Sequence, residues 1–277
     1  MEPETLFLSG GGMNCLTFLG IFQYLFEKNI IKSKLQGIKN IVCVSGSSIL
    51  ILHLLLGFTL NATMKICLDF KIKELIDYNN FDINQLLETY GLYTNDFIQN
   101  LCSTILEKKG LSKGITLQEF YEFTKVNIYF KTSNISKGKI VYISHKNCPN
   151  LPLVQVIQMT TCIPLLFQPI KYKGDYYVDG GLCGNFPLEY NRTLKAKNYL
   201  GIHIGCKGCK TEIDSVFDYI GSLYKMPWSP FDQMKKNKKI INVIMDSPGL
   251  VFSITKEQKK KIIKHGYISA LKHFTDS

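Results

Sequence analysis

The chain has 277 residues, 45% hydrophobic and 20% charged, which suits a soluble globular protein of one large α/β domain, or at most two small ones. Its longest apolar run, Ile49 to Phe58, is interrupted by His53 and falls short of the roughly 20 residues that a membrane span requires. A formal net charge of +11, with lysines gathered in Lys235 to Lys239 and Lys256 to Lys264, comes without a zinc finger, an RNA-binding aromatic signature or a long basic helix; nucleic acid is therefore disfavoured, leaving solvated helix faces or an anionic lipid surface.

Thr5 to Ser9 reads as a short strand broken by Gly10 to Gly12, and Asn14 to Lys28 carries apolar residues at helical spacing. Ile38 to Ser45 is a second strand, apolar throughout as a strand covered on both faces should be. Ile49 to Phe58 is hydrophobic nearly all round and predicts a buried helix. The stretch Thr59 to Val126 reads as mostly helical, with one helix starting at Thr94 to Asp96 and another capped by Thr116 and Glu119. Asn127 to Phe130 and Lys139 to Ser144 read as strands, then a helix from Pro152 to Thr161. Phe167 to Tyr172 and Tyr176 to Asp179 flank a hairpin turn at Lys173 to Asp175. Tyr199 to Gly205 and Ile240 to Met245 add strands, and Lys256 to His273 the last helix. Strand, Gly-rich turn, helix, strand, sharp turn, buried helix is the signature of a parallel α/β sheet. No repeat or linker divides residues 1–277, so a single domain is expected.

The first residues do not read as a secretory leader, Glu2 stands where myristoylation requires a glycine, and the last residues do not read as a prenylation box. Nine scattered cysteines fit reduced thiols in a cytoplasmic protein, with Cys206 and Cys209 read as a loop thiol pair rather than a zinc half-site.

Three short segments carry chemistry. Gly10-Gly11-Gly12-Met13 lacks the Gly-Lys-Ser/Thr of a phosphate loop and the glycine and acidic residue of a dinucleotide site. What survives is a run of backbone donors suited to an oxyanion. Ser45, Ser47 and Ser48 compete for the apex of the following strand-to-helix turn. A nucleophile needs small flanking residues there, and Gly46 two positions before Ser48 favours Ser48. Asp179 closes a strand before two glycines and offers a base, although Asp-Gly-Gly is by itself an ordinary turn. Among the histidines only His145 and His203 follow strands, and neither has a supporting motif, so a Ser–Asp dyad is the economical reading.

Together, Gly10 to Cys15, Gly46-Ser47-Ser48-Ile49-Leu50 and Asp179-Gly180-Gly181 resemble the glycine loop, the GxSxG elbow and the DG[GA] aspartate of patatin-like phospholipases, the class of patatin and cytosolic phospholipase A2. The match covers about Leu6 to Leu188, and Asp179 to Pro187 is its most specific part. The Lys-, Ile- and Asn-rich style is similar to that of patatin-like proteins of large DNA viruses.

The resemblance implies a three-layer α/β/α fold with a mainly parallel sheet. It also implies lipid acyl hydrolysis without metal or organic cofactor, by Ser48 and Asp179, with the amides of Gly10, Gly11, Gly12 and Met13 as oxyanion hole. The partner so implied is a lipid or phospholipid substrate, and the lysine excess would bring a cytoplasmic protein peripherally to an anionic membrane surface. Asn14 and Cys15 depart from the family pattern, and so does Leu50, which stands where the elbow's last glycine belongs. Leu50 favours the alternative of a catalytically silent, lipid-binding member.

Overall fold

The computed structural model describes residues 2–70, 83–206, 219–220, 222, 237–246, 249 and 254–276. Strand β1 (Thr5–Leu8) is buried at every position and leads through a 3-10 turn, Gly12–Leu16, into α1 (Thr17–Glu27). Next come β2 (Asn40–Val44), α2 (Gly46–Leu55), α3 (Leu60–Asp69), α4 (Ile83–Thr89), β3 (Gly91–Tyr93) and α5 (Asp96–Glu107). Helix α6 (Leu117–Thr124) opens on the expected reciprocal cap between Thr116 and Glu119. It precedes β4 (Asn127–Asn134), β5 (Lys139–Ile143), α7 (Leu153–Thr161), β6 (Leu165–Phe167), β7 (Ile170–Tyr172) and β8 (Asp175–Asp179). The chain continues with α8 (Asn191–Leu194), β9 (Tyr199–Cys206), β10 (Ile240–Met245) and α9 (Lys256–Thr275).

The main sheet runs β10-β9-β1-β2-β4-β8-β7, with β5 also paired to β4. The five strands from β10 to β4 are parallel; β5, β8 and β7 join antiparallel at the other end. Strand side chains alternate between faces, and the core divides accordingly. Leu6, Leu8, Ile41, Cys43 and Ile202 belong to the large cluster shared with α1, α2, α7 and α9. Phe7, Val42, Tyr129 and Ile240 point the opposite way and are covered by Phe186, Leu188, Tyr190 and Leu194. Cover on both faces explains why β1 and β2 are apolar throughout instead of alternating.

The C-terminal helix is seated by a glycine pair. A Cβ on Gly20 would stand 1.9 Å from the Ile263 carbonyl oxygen, and one on Gly266 would stand 2.0 Å from that of Thr17. Only hydrogen at both positions lets α1 and α9 approach this closely.

Two expectations change in the fold. The strand predicted over Phe167 to Tyr172 is split: β6 pairs with β3 in a separate two-stranded sheet, while β7 pairs with β8. Pro169 lies at the break, and without an N–H it cannot continue a ladder. The short β3 interrupts a region read as helical, because three residues carry too little pattern to register. Among the described residues no helix is long and apolar enough to cross a membrane. Cys206 is disulfide-bonded, against the expectation of reduced thiols; Cys209 lies outside the described residues, as do Lys235 and Lys236.

Candidate active site

The end of β2 and the start of α2 leave no room for an ordinary turn. Ser45, between them, adopts φ 56° and ψ −133°, a conformation that costs a non-glycine residue about 1–3 kcal/mol. Three bonds hold it there. Its N–H donates to Thr160 Oγ1 at 3.0 Å, and its carbonyl accepts from the Ser48 amide at 2.9 Å and the Ser48 hydroxyl at 2.6 Å. The following Gly46 must be small: a Cβ there would sit 3.2 Å from both Cys15 Sγ and the Gly12 carbonyl oxygen.

The apex is therefore Ser45, and the expected pairing of Ser48 with Asp179 gives way to one three residues earlier. The Ser48 hydroxyl is spent on the Ser45 carbonyl. The Ser47 hydroxyl donates to the Val44 carbonyl at 2.7 Å and accepts from the Val44 amide at 3.0 Å, which ties strand to helix. Ser45 alone of the three sets its hydroxyl beside the Asp179 carboxyl, where it favours the ionised form. In this register Cys43 and Ser47 occupy the outer small-residue positions. Leu50 is not at the elbow at all; it is a buried residue of α2.

Asp179 ends β8, opposite Thr132 of β4. Its amide donates to the Cys162 carbonyl at 2.8 Å, and its Oδ1 accepts from the Gly181 amide at 2.7 Å. Burial drives the carboxyl from its usual 3.8 up to about 7, against hydrogen bonds from Ser45 and Gly181 and the nearby Lys131 charge, which all pull it down. Buried Lys131 gathers the loop beyond Asp179: its Nζ donates to the Gly184 carbonyl at 2.7 Å and pairs with Glu189 at 2.6 Å. Asn185 joins this loop to the glycine run, with its side-chain amide on the Gly10 carbonyl at 2.8 Å and its carbonyl on the Gly10 amide at 3.0 Å.

The four expected oxyanion donors divide into pairs. Gly10 N–H is spent on Asn185, and Met13 N–H on the carbonyl of Gly249 at 2.8 Å. No acceptor among the described residues takes the amides of Gly11 and Gly12. Asn14, which stands where the family has a basic residue, is buried beside Gly249.

Ser45 opens onto a cavity of about 890 Å³ including its mouth, with walls that are largely apolar, among them Leu16, Ile49, Leu50, Ile98 and Phe167. Sequence reasoning missed Thr160, Lys131 and Asn185, whose contacts span from 29 to 175 residues and leave no local pattern. His203 instead pairs with Asn242 at 3.1 Å, and His145 stacks on Tyr121 with ring centroids 3.9 Å apart. Among the described residues no three His, Cys, Asp or Glu side chains form a metal-ligand group.

The family model of patatin-like phospholipases matches residues 6–191, about two thirds of the chain. The chain belongs to the patatin-like phospholipase family. Relatives of this patatin-like chain include probable lipid hydrolase 463L of Invertebrate iridescent virus 6, 27% identical over 70% of this chain and 67% of that protein. Another is uncharacterized protein R571 of Acanthamoeba polyphaga mimivirus, 24% identical over 96% of this chain and 91% of that one. Both come from large DNA viruses, in line with the resemblance in style. In fold, this patatin-like protein is similar to VipD from Legionella pneumophila (TM-score 0.71, 16% identity), aligning over 100% of this chain and 67% of VipD. It is also similar to the type III effector ExoU (TM-score 0.55, 15% identity), of which it spans about half, 53%.

Proposed function

We propose that this protein is a lipid acyl hydrolase of phospholipase A type in which Ser45 is the nucleophile and Asp179 its general base. The observation that carries the proposal is the one uncommitted elbow hydroxyl set beside a buried carboxyl, at the mouth of an apolar cavity. Asp179 takes the Ser45 proton as the hydroxyl oxygen attacks the ester carbonyl. The amides of Gly11 and Gly12, together with the positive end of the α2 dipole, stabilise the tetrahedral oxyanion. Its collapse expels the alcohol, which recovers the proton. Water, deprotonated by Asp179, then releases the fatty acid from the acyl-Ser45. The acyl chain occupies the cavity throughout. Leu50, the feature that favoured a catalytically silent protein, now lines that cavity and no longer argues against activity.

Lys261 and Lys264 on α9 are exposed and suit peripheral contact with an anionic lipid surface. The test of the chemistry is reaction with a fluorophosphonate, with the adduct mapped by mass spectrometry. Label on Ser45, lost together with esterase activity in Ser45→Ala, supports the mechanism. Label on Ser48 or on no serine overturns it.

A further inference from the structure

The amides of Gly11 and Gly12 belong to two peptides whose carbonyls are both held, one by backbone and one by a side chain. In a trans peptide the C=O and the N–H point in opposite directions, so a bond that fixes the carbonyl also aims the amide. The Gly11–Gly12 peptide is fixed by backbone, since the Gly11 carbonyl accepts from the Asn14 amide at 2.9 Å. The Gly10–Gly11 peptide is fixed by Asn185, whose Nδ2 donates to the Gly10 carbonyl at 2.8 Å. A carbonyl can only accept, so the side-chain nitrogen must be the atom that faces it. Without that bond a peptide between two glycines turns over at little steric cost, because neither carries a Cβ. Asn185 is itself well anchored. It is buried, its carbonyl accepts from the Gly10 amide at 3.0 Å, and Lys131 Nζ holds the preceding Gly184 carbonyl at 2.7 Å. The following Phe186 is buried in the cluster with Phe7 and Val42. A Cβ on Gly10 would stand 2.3 Å from Asn185 Oδ1 and 3.1 Å from Ser45 Cβ, so this contact lies beside the nucleophile.

We propose that Asn185 is a positioning residue that aims the Gly11 amide at the developing oxyanion. This role rests on the acyl-hydrolase reading of the site. Asn185 acts through the Gly10 carbonyl: it locks one orientation of the Gly10–Gly11 peptide and so keeps the Gly11 donor ready before substrate arrives. Such a donor is felt in the transition state, where charge has moved onto the carbonyl oxygen, and much less in the bound ester. Its misdirection should therefore slow turnover and leave binding of the acyl chain alone. Deleting an oxyanion donor outright costs about 100- to 1,000-fold in kcat, and leaving the donor present but free to turn should cost about 10- to 100-fold.

The experiment compares two inhibitors of equal chain length, an alkyl trifluoromethyl ketone and the matching fatty alcohol, on the full chain. The ketone imitates the tetrahedral intermediate: Ser45 Oγ bonds to its carbonyl carbon, the π pair moves onto oxygen, and Asp179 takes the proton. The alcohol fills the cavity and forms no oxyanion. Asn185→Leu keeps the volume without the donor, Asn185→Ala removes both, and Asn185→Asp turns an acceptor toward the Gly10 carbonyl. In each variant kcat for p-nitrophenyl esters should fall about 10- to 100-fold with KM little changed. Affinity for the ketone should weaken by the same factor as kcat/KM, and affinity for the alcohol should hold. The ratio of the two inhibition constants does not depend on how much protein is folded, so a destabilised variant still gives an answer. An unchanged ratio in the variants, or equal weakening of both inhibitors, overturns the role of Asn185 while wild-type hydrolysis keeps the hydrolase reading. A wild type that neither hydrolyses esters nor binds the ketone more tightly than the alcohol refutes the hydrolase reading, and this role with it.

Discussion

The amide of Ser45 donates to the hydroxyl of Thr160 at 3.0 Å, and that hydroxyl donates onward to the Lys131 carbonyl at 2.7 Å. One side chain at the end of α7 thus bridges the strained elbow to β4. Thr160→Val keeps the shape and leaves two buried backbone groups unpaired, each costing about 1–3 kcal/mol. A lower melting temperature is expected, with kcat reduced at least tenfold and KM little changed, because the reacting hydroxyl loses its orientation rather than its substrate. Thr160→Ser should recover most of both. Wild-type kcat in Thr160→Val would show that the elbow holds its geometry without this bridge.

Ser47 and Ser48 have structural duties, and their removal should read as stability and not as chemistry. Ser48→Ala deletes the bond to the Ser45 carbonyl but leaves the Ser48 amide on it, at a cost of about 1 kcal/mol. Fluorophosphonate labelling should persist in Ser48→Ala and vanish in Ser45→Ala. Loss of labelling in a folded Ser48→Ala would return the nucleophile to the position first expected.

Strand ends, the glycine run and Asp179 were legible because each pairs an apolar segment with residues that stop it. The register of the elbow was not. A reading keyed to glycine two positions before the nucleophile selects Ser48, but the residue at the apex is Ser45, its outer small neighbours are Cys43 and Ser47, and the glycine stands directly after it. What decides the register is backbone: the positive φ at Ser45 and the close approach of Gly46 to Cys15 and Gly12. Lys131, Thr160 and Asn185 act across strands, so nothing in their own neighbourhoods marks them. Likewise the double duty of the Gly10 and Met13 amides depends on Asn185 and Gly249, far along the chain.

The Asp179 carboxyl, raised to about 7 chiefly by burial, gives a pH dependence of definite sign. As a base it must be ionised, so kcat/KM should rise about tenfold per unit below pH 7 and level off above it. Stability runs the other way. Between about pH 4 and 7 the folded chain holds a proton that the unfolded chain has lost, so this group's contribution is full below pH 4 and disappears as pH rises through 7. The shift corresponds to at most about 4 kcal/mol. Asp179→Asn should therefore be inactive yet more stable than wild type at pH 8. A less stable variant at that pH would mean that the carboxylate is better solvated than its burial implies.

Leu50 offers a test of the register from another side. Were it crowding the elbow, Leu50→Gly would raise activity. As a buried residue within α2 and the cavity wall, it should instead cost about 3–5 kcal/mol through lost packing and helix propensity. Leu50→Met, which keeps the volume, should retain both stability and esterase activity. Higher activity in Leu50→Gly than in wild type would reinstate the crowded elbow.

The proposed attraction to an anionic membrane narrows to fewer lysines than the two runs contain. Within Lys256 to Lys264, Lys256 pairs with Asp69 at 2.6 Å and Lys260 with Glu257 at 2.8 Å. Lys259 is buried, and its Nζ donates to the carbonyls of Cys67, Leu68 and Phe70, closing the end of α3. Lys261 and Lys264 remain exposed, with no ion pair among the described residues. Each basic residue near an anionic surface contributes about 1 kcal/mol, screened over about 8 Å at physiological ionic strength. The protein should bind anionic but not neutral vesicles, and high salt should weaken that binding. Reversing Lys261 and Lys264 together should cut affinity by about tenfold or more without moving the melting temperature, whereas Lys259→Glu should mainly unfold α3. Equal sedimentation with both vesicle types, insensitive to salt, would show that charge does not bring this protein to lipid.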